Sequence, residues 1–182
     1  MLCPPSCAVN VPKITGAGCR IVTRPAGIDR VVIARCDLEF TDITDLDEWD
    51  THMTADKVHA TGKILGQKPK GSLSKRKLAS CVPERPVNAT RQISWRDANA
   101  DNTAFTEYDF YNTLQLNSDI YMLGWVTCDD LFYGWATDWS VEVDDTRGDN
   151  SDEEAVIEAV AEYKSLSMIK PVKIVGLRNI LV

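Results

Sequence analysis

Asp119-Ile-Tyr-Met-Leu-Gly-Trp-Val-Thr-Cys-Asp-Asp-Leu-Phe-Tyr-Gly-Trp-Ala-Thr-Asp-Trp-Ser-Val-Glu-Val143 contains two apolar runs separated by Cys128-Asp-Asp130. Aromatic and β-branched side chains suit a pleated surface, and Asp tolerates the backbone angles of a tight turn. The stretch predicts two strands, 119–127 and 131–143, joined as a hairpin. It gathers three of the five tryptophans, Trp125, Trp135 and Trp139, and is expected to form the core.

Around this hairpin the chain reads as further strands and two short helices. Ile28 to Phe40 is β-branched at its start and alternates toward its end, as a strand does. Thr44 or Asp45 then caps a helix over about 45–55, with Asp47, Glu48 and Asp50 in its positively polarised first turn. Leu46, Trp49 and Met53 share one face at helical spacing, and Trp49 is expected to plug the open end of a sheet. Weak strands are expected at 58–65 and 76–82, around a hairpin tip from Gly66 to Ser74, and another at 91–96 with Ile93 and Trp95 on one face. Phe105, Tyr108, Tyr111 and Leu114 predict the second helix, with Asn102 or Thr103 as its cap.

Residues 154–164 satisfy two templates equally. Ile157, Ala159, Ala161 and Tyr163 alternate with Glu158, Val160, Glu162 and Lys164 as a half-buried strand does, whereas Ser151, Glu154 and the alanines fit a capped helix. The apolar end, Ile169 to Val182, needs cover from the core or from a partner. Residues 1–20 hold three prolines and two glycines without periodicity and read as an extended N-terminal arm, leaving 21–182 as a single β-rich domain. The expected fold class is α+β and β-rich: an antiparallel sandwich or barrel of about seven strands, two short helices and a long projecting basic hairpin.

At 182 residues the chain is long enough for one real core. Its 44% apolar and 26% charged residues are those of an ordinary globular protein. No run approaches the ~18 apolar residues of a membrane span, and no signal peptide is evident at the N-terminus. A net charge of −7 argues against coating DNA.

That charge is segregated. From Lys63 to Arg91 eight basic residues face one acid, a balance of +7, which leaves −14 on the rest. From Asp138 to Glu162 ten acids face one base. Either the two blocks meet within one copy, or the basic block of one copy reaches the acidic block of the next. The second reading is favoured because the basic block carries the Gly and Pro residues of a protruding loop. A solvated loop is the ordinary fate of a run such as Lys75-Arg76-Lys77. Exposed pairs contribute only ~0.2–1 kcal/mol each, so charge sets register while apolar edges supply affinity.

No catalytic constellation emerges, and the chain is not expected to be an enzyme. G-x-G-x-x-G, P-loop and G-x-S-x-G patterns are absent. His52 and His59 are seven apart, where a metal pair on one helix face needs four, so a solvated helix start is the expectation despite nearby Asp42, Asp45, Asp47 and Asp50. Cys3, Cys7 and Cys19 lack a fourth ligand, and all six cysteines (with Cys36, Cys81 and Cys128) are read as small buried hydrophobes in a reducing cytoplasm. No cofactor is expected. Basic and aromatic residues occupy different stretches, unlike those of single-strand binders.

The layout of Arg30–Phe40, Asp45–Met53, the loop Gly62–Cys81 and the strand pair Ile120–Val143 resembles the tail tube proteins of long-tailed bacteriophages and the inner-tube proteins of contractile injection systems. The resemblance implies a virion structural subunit, assembled in the host cytoplasm into stacked hexameric rings around an acidic lumen through which DNA slides. It implies contacts with other virion proteins and none with a membrane. Carried over, Lys68, Lys70, Lys75, Arg76 and Lys77 are inter-ring contacts, and Asp144, Asp145, Asp152 and Glu153 are their partners or face the lumen. Alternatives are a neck, tail-completion or capsid-decoration protein, a metal-dependent cytoplasmic protein, or a ligand-binding β-barrel with Trp125, Trp135 and Trp139 around its pocket.

Overall fold

Burial on both faces of one strand organises the molecule. In the computed structural model, which describes residues 27–69, 71–77, 84–97, 106–117, 120–137, 139–145 and 156–181, β1 (Ile28–Arg35) is the strand at the centre. Val31 and Ile33 point into one core and Val32 and Ala34 into another. All four are buried, so β1 reads as a continuous apolar run, as a doubly covered strand should. It ends at Arg35, short of the expected Phe40. The chain turns there, and Arg35 pairs with Asp37 at 2.7 Å.

The ten strands form one antiparallel sheet. They are β1, β2 (Val58–Ala60), β3 (Leu65–Gln67), β4 (Ser72–Arg76), β5 (Arg85–Asp97), β6 (Tyr121–Thr127), β7 (Leu131–Ala136), β8 (Trp139–Asp145), β9 (Ile157–Lys164) and β10 (Val172–Lys173). The order is β10-β7-β6-β1-β3-β5-β9-β8, with β2 on β1 and β4 on β5, and the sheet does not close into a barrel. Its two halves share the inner core: Leu123 and Trp125 of β6 pack in one cluster with Ile93 and Trp95 of β5, Ala159 and Ala161 of β9, and Val141 of β8. The sheet is thus folded over as a sandwich. Helix α2 (Thr106–Leu116) buries Tyr111 and Leu114 in the same core. There the Trp95 indole N–H donates to the Tyr111 hydroxyl (3.1 Å), which donates to Asp97 (2.8 Å).

The second core lies on the outer face of β1, β6 and β7, under α1 (Leu46–Thr54) and the short α3 (Leu177–Ile180). Trp49 therefore covers a sheet face and does not plug an end. Its ring meets Phe40 (4.6 Å) and Phe132 (5.1 Å), and its indole N–H donates to Ile43 O at 2.8 Å. Asp45 is the cap and accepts from the Asp47 N–H. Ile174, Leu177 and Leu181 of the apolar C-terminal stretch are buried in the chain's own core, while Val175 is exposed and Val182 lies outside the described residues.

Other expectations change in instructive ways. The expected strand 131–143 is two strands: β7 pairs with β6, and β8 crosses to pair with β9. The expected strand 58–65 is likewise broken, into β2 and β3. Residues 157–164 are a strand, with Ile157, Ala159, Ala161 and Tyr163 buried between β5 and β8. Helices number three among the described residues, the third having only four residues. The arm 1–20, the caps Asn102 and Thr103, Phe105, and Cys3, Cys7, Cys19 and Cys81 lie outside the described residues. Cys36 is exposed and Cys128 partly so; both are free thiols, and neither is the buried hydrophobe expected.

Replacing Trp49 by Ala removes the largest side chain of the outer core and is expected to cost roughly 3–5 kcal/mol in urea unfolding. Glu48 supplies an acid-sensitive contact. Its carboxylate accepts the Asp42 N–H (2.9 Å) and the Thr41 N–H (2.7 Å), which hold its pKa below the ordinary 4.5. That stabilisation is present above pH 4.5 and is lost as pH falls through the lowered value of the folded state. Glu48→Gln is expected to flatten this part of the stability–pH curve, read from urea midpoints between about pH 3 and 7.

Candidate functional site

Strand β5 is longer than the body of the sandwich. Its second half, Thr90–Asp97, pairs with β9, and β9 ends at Lys164 opposite Thr90. Its first half, Arg85–Ala89, has only β4 as a strand partner, with one further backbone bond from the Ser165 N–H to Ala89 O at 2.9 Å. A two-stranded ribbon therefore runs on for about 17 Å past the end of β9 at ~3.4 Å per residue. The basic hairpin exists, but it is displaced from the expected place. Gly66 to Ser74 is no tip: β3 and β4 lie one after the other along the same side of β5.

The glycines explain the displacement. A Cβ on Gly66 would stand 2.7 Å from the Ile28 Cβ, and one on Gly71 would stand 2.3 Å from Thr90 O. Both are glycines of close backbone approach inside a sheet, and they were read as turn signals.

All five β4 residues are exposed. Lys75 and Arg76 stand on β4, and Lys77 follows directly. The ribbon also has an apolar side. Val87 and Ala89 share the face of β5 that farther along carries Ile93 and Trp95 into the core, and Leu73 stands opposite Ala89. Beyond the body that face has no cover: Leu73 is 53% exposed and Val87 46%. An isolated two-stranded ribbon is marginal in water, so a basic ribbon with an open apolar face is an incomplete structure.

The acids gather on the outer face of β8 and β9. Glu142 and Asp144 point outward from β8, with Glu158 opposite Asp144 on β9 and Glu162, opposite Ser140, on the same face. Glu158 pairs with Arg96 at 2.8 Å, whereas Asp144 has no ion pair among the described residues. Asp145 points to the inner side and accepts a hydrogen bond from the Tyr108 hydroxyl, which ties α2 to β8. Strand β8 ends the sheet, so its outer edge is unpaired among the described residues, as is that of β4.

Of the residues expected to form the site, Lys75, Arg76 and Lys77 thus share the ribbon, and Asp144 faces solvent on the acidic face. Lys70, Asp152 and Glu153 lie outside the described residues. Lys68 sits at the root of the ribbon, its ammonium 5.1 Å from the Trp125 ring centre and 5.2 Å from that of Tyr133. Burial there, with Arg91 close by, lowers its pKa from 10.5. Sequence reading separates the basic residues from the aromatics; Lys68 follows β3, while Trp125 and Tyr133 lie on β6 and β7, and only the fold brings them together, so no local signal reports this contact.

Among the described residues, the other chemistry weighed from sequence is not brought together. His52 packs edge-on against Phe40 and lies 3.7 Å from Glu48, and no metal-binding group of three occurs among the described residues. Asp130 occupies a turn with φ 62° and binds Arg178 at 2.7 Å, a structural use of its carboxylate. Trp125 and Trp139 fill the inner core while Trp135 packs in the outer one, so the three do not face one pocket. No described helix is long and apolar enough to cross a membrane. No protein-family model, curated protein or solved structure matches this chain.

In dilute protein the β4 amides are expected to exchange with deuterium at least about a hundredfold faster than those of Val31–Ile33, because local opening of the ribbon exposes little apolar area. Residue-resolved hydrogen exchange checks this.

Proposed function

We propose that the chain is a virion structural subunit that works by self-assembly, of the tail-tube kind, its copies forming rings that stack into a conduit for DNA. The observation that carries this reading is the pair of unpaired, oppositely charged edges. The basic edge is β4 with Lys75 and Arg76; the acidic edge is β8 with Glu142 and Asp144. Two β8 edges repel each other, and so do two β4 edges, whereas β4 of one copy complements β8 of the next. Such a contact joins different surfaces of identical subunits. Contacts of that kind generate rings where the rotation closes and filaments where it does not.

Energetic roles divide accordingly. Added backbone hydrogen bonds and cover for Leu73 and Val87 would supply affinity, while the charges fix register and speed encounter. The acidic outer face, with Glu142, Asp144 and Glu162 unpaired among the described residues, suits a wall along which DNA slides without binding.

Reversing Lys75, Arg76 and Lys77 together to Glu is expected to leave a folded monomer that no longer assembles. Far-UV circular dichroism reports the fold; sedimentation and negative-stain microscopy at low salt report the assembly. In the unaltered protein, rings that stack support the tube and discrete rings that do not stack support a neck or completion component. An unchanged polymer in the triple variant removes the charge-register idea.

A further inference from the structure

The root of the ribbon holds two cations and no counter-charge. Lys68 and Arg91 line the same pocket of about 300 Å³ with Gly71, Ser72, Thr90 and Met168. Arg91 donates its Nε–H to Ser165 O at 3.2 Å, and neither cation has a carboxylate partner among the described residues. Lys68 is held by the electron-rich faces of Trp125 and Tyr133, whose rings stack 5.3 Å apart. Rings of this kind attract the ammonium without neutralising it.

A second observation comes from the strand opposite. Tyr163 stands across from Arg91 in the β5–β9 register, and its ring lies 6.1 Å from that of Trp125. The Tyr163 hydroxyl is buried without a hydrogen-bond partner. Buried hydroxyls ordinarily find a partner, so among the described residues no acceptor stands within reach of this one. Arg offers a planar fork of donors and Lys a mobile point charge, a pairing suited to a small oxyanion. Gly71 keeps the wall thin, since a side chain there would collide with the β5 backbone.

We propose that Lys68 and Arg91 form a binding site for one small oxyanion, a phosphate group or a carboxylate, at the root of the ribbon. The site goes beyond the assembly reading and does not depend on it. An anion seated there neutralises the repulsion between the two cations and ties Lys68 to β5.

The test is thermal unfolding of the full chain in sodium phosphate, sodium acetate and sodium chloride at equal ionic strength, with Lys68→Gln and Arg91→Gln alongside. Phosphate or acetate is expected to raise the midpoint above that in chloride, saturably, and either variant to weaken the apparent binding by about tenfold or more. A rise with phosphate alone identifies a phosphoryl ligand, and a rise with acetate a carboxylate. Midpoints that follow ionic strength alone would overturn the site, as would an anion response in Lys68→Gln equal to that of the unaltered chain. Lys68 is an exposed residue, so its variant remains informative if Arg91→Gln fails to fold.

Discussion

Two-sided burial of β1 is the constraint on which the rest of the structure depends. A strand with Val31 and Ile33 on one face and Val32 and Ala34 on the other needs cover twice over. The inner face obtains it from the folded-over half of the sheet, β5, β9 and β8, sealed by α2. The outer face obtains it from α1, α3 and the aromatic group Phe40, Trp49, Phe132 and Trp135. Gly124 serves this arrangement: a Cβ there would stand 2.8 Å from the Phe132 ring, so its absence admits the ring against the sheet. Both cores are filled from within one chain, and among the described residues the open surfaces include the β4–β5 ribbon and the β8 edge.

Much of this was legible locally. The Asp45 cap with its acidic first turn, the turn at Cys128–Asp130, and Ile93 with Trp95 on one face each depend on neighbours within a few residues. The failures were those of long-range origin. Residues 157–164 fit helix and strand alike until β5 and β8 are known to lie on either side of them. The switch from β7 to β8 carries no Gly or Pro at 137–138; what changes is the core being filled, from Phe132 and Trp135 outside to Trp139 and Val141 inside. Gly66 and Gly71 read as turn punctuation because a sequence does not reveal which backbone approaches a glycine.

The candidate site was half visible for the same reason. Segregation of charge can be read from the residue order, and in the fold Lys75, Arg76 and Lys77 stand exposed on the ribbon and Asp144 on the acidic face. Division of labour among them cannot. Asp145 faces inward to hold α2, Lys68 rests on aromatics from β6 and β7, and Arg91 reaches across to Ser165. Each of these fates follows from strand order. Net charge states how many groups repel; topology decides which of them meet.

Carbodiimide coupling of an equal mixture of unlabelled and ¹⁵N-labelled protein, read by mass spectrometry, tests the central claim most directly. It joins an amine to a carboxylate only at ion-pair distance, and mixed isotopes mark links between copies. Assembly through the two edges predicts links from Lys75 or Lys77 of one copy to Glu142 or Asp144 of another, diminishing as salt is raised. Links confined to single copies, or links between copies that bypass the ribbon, would contradict it.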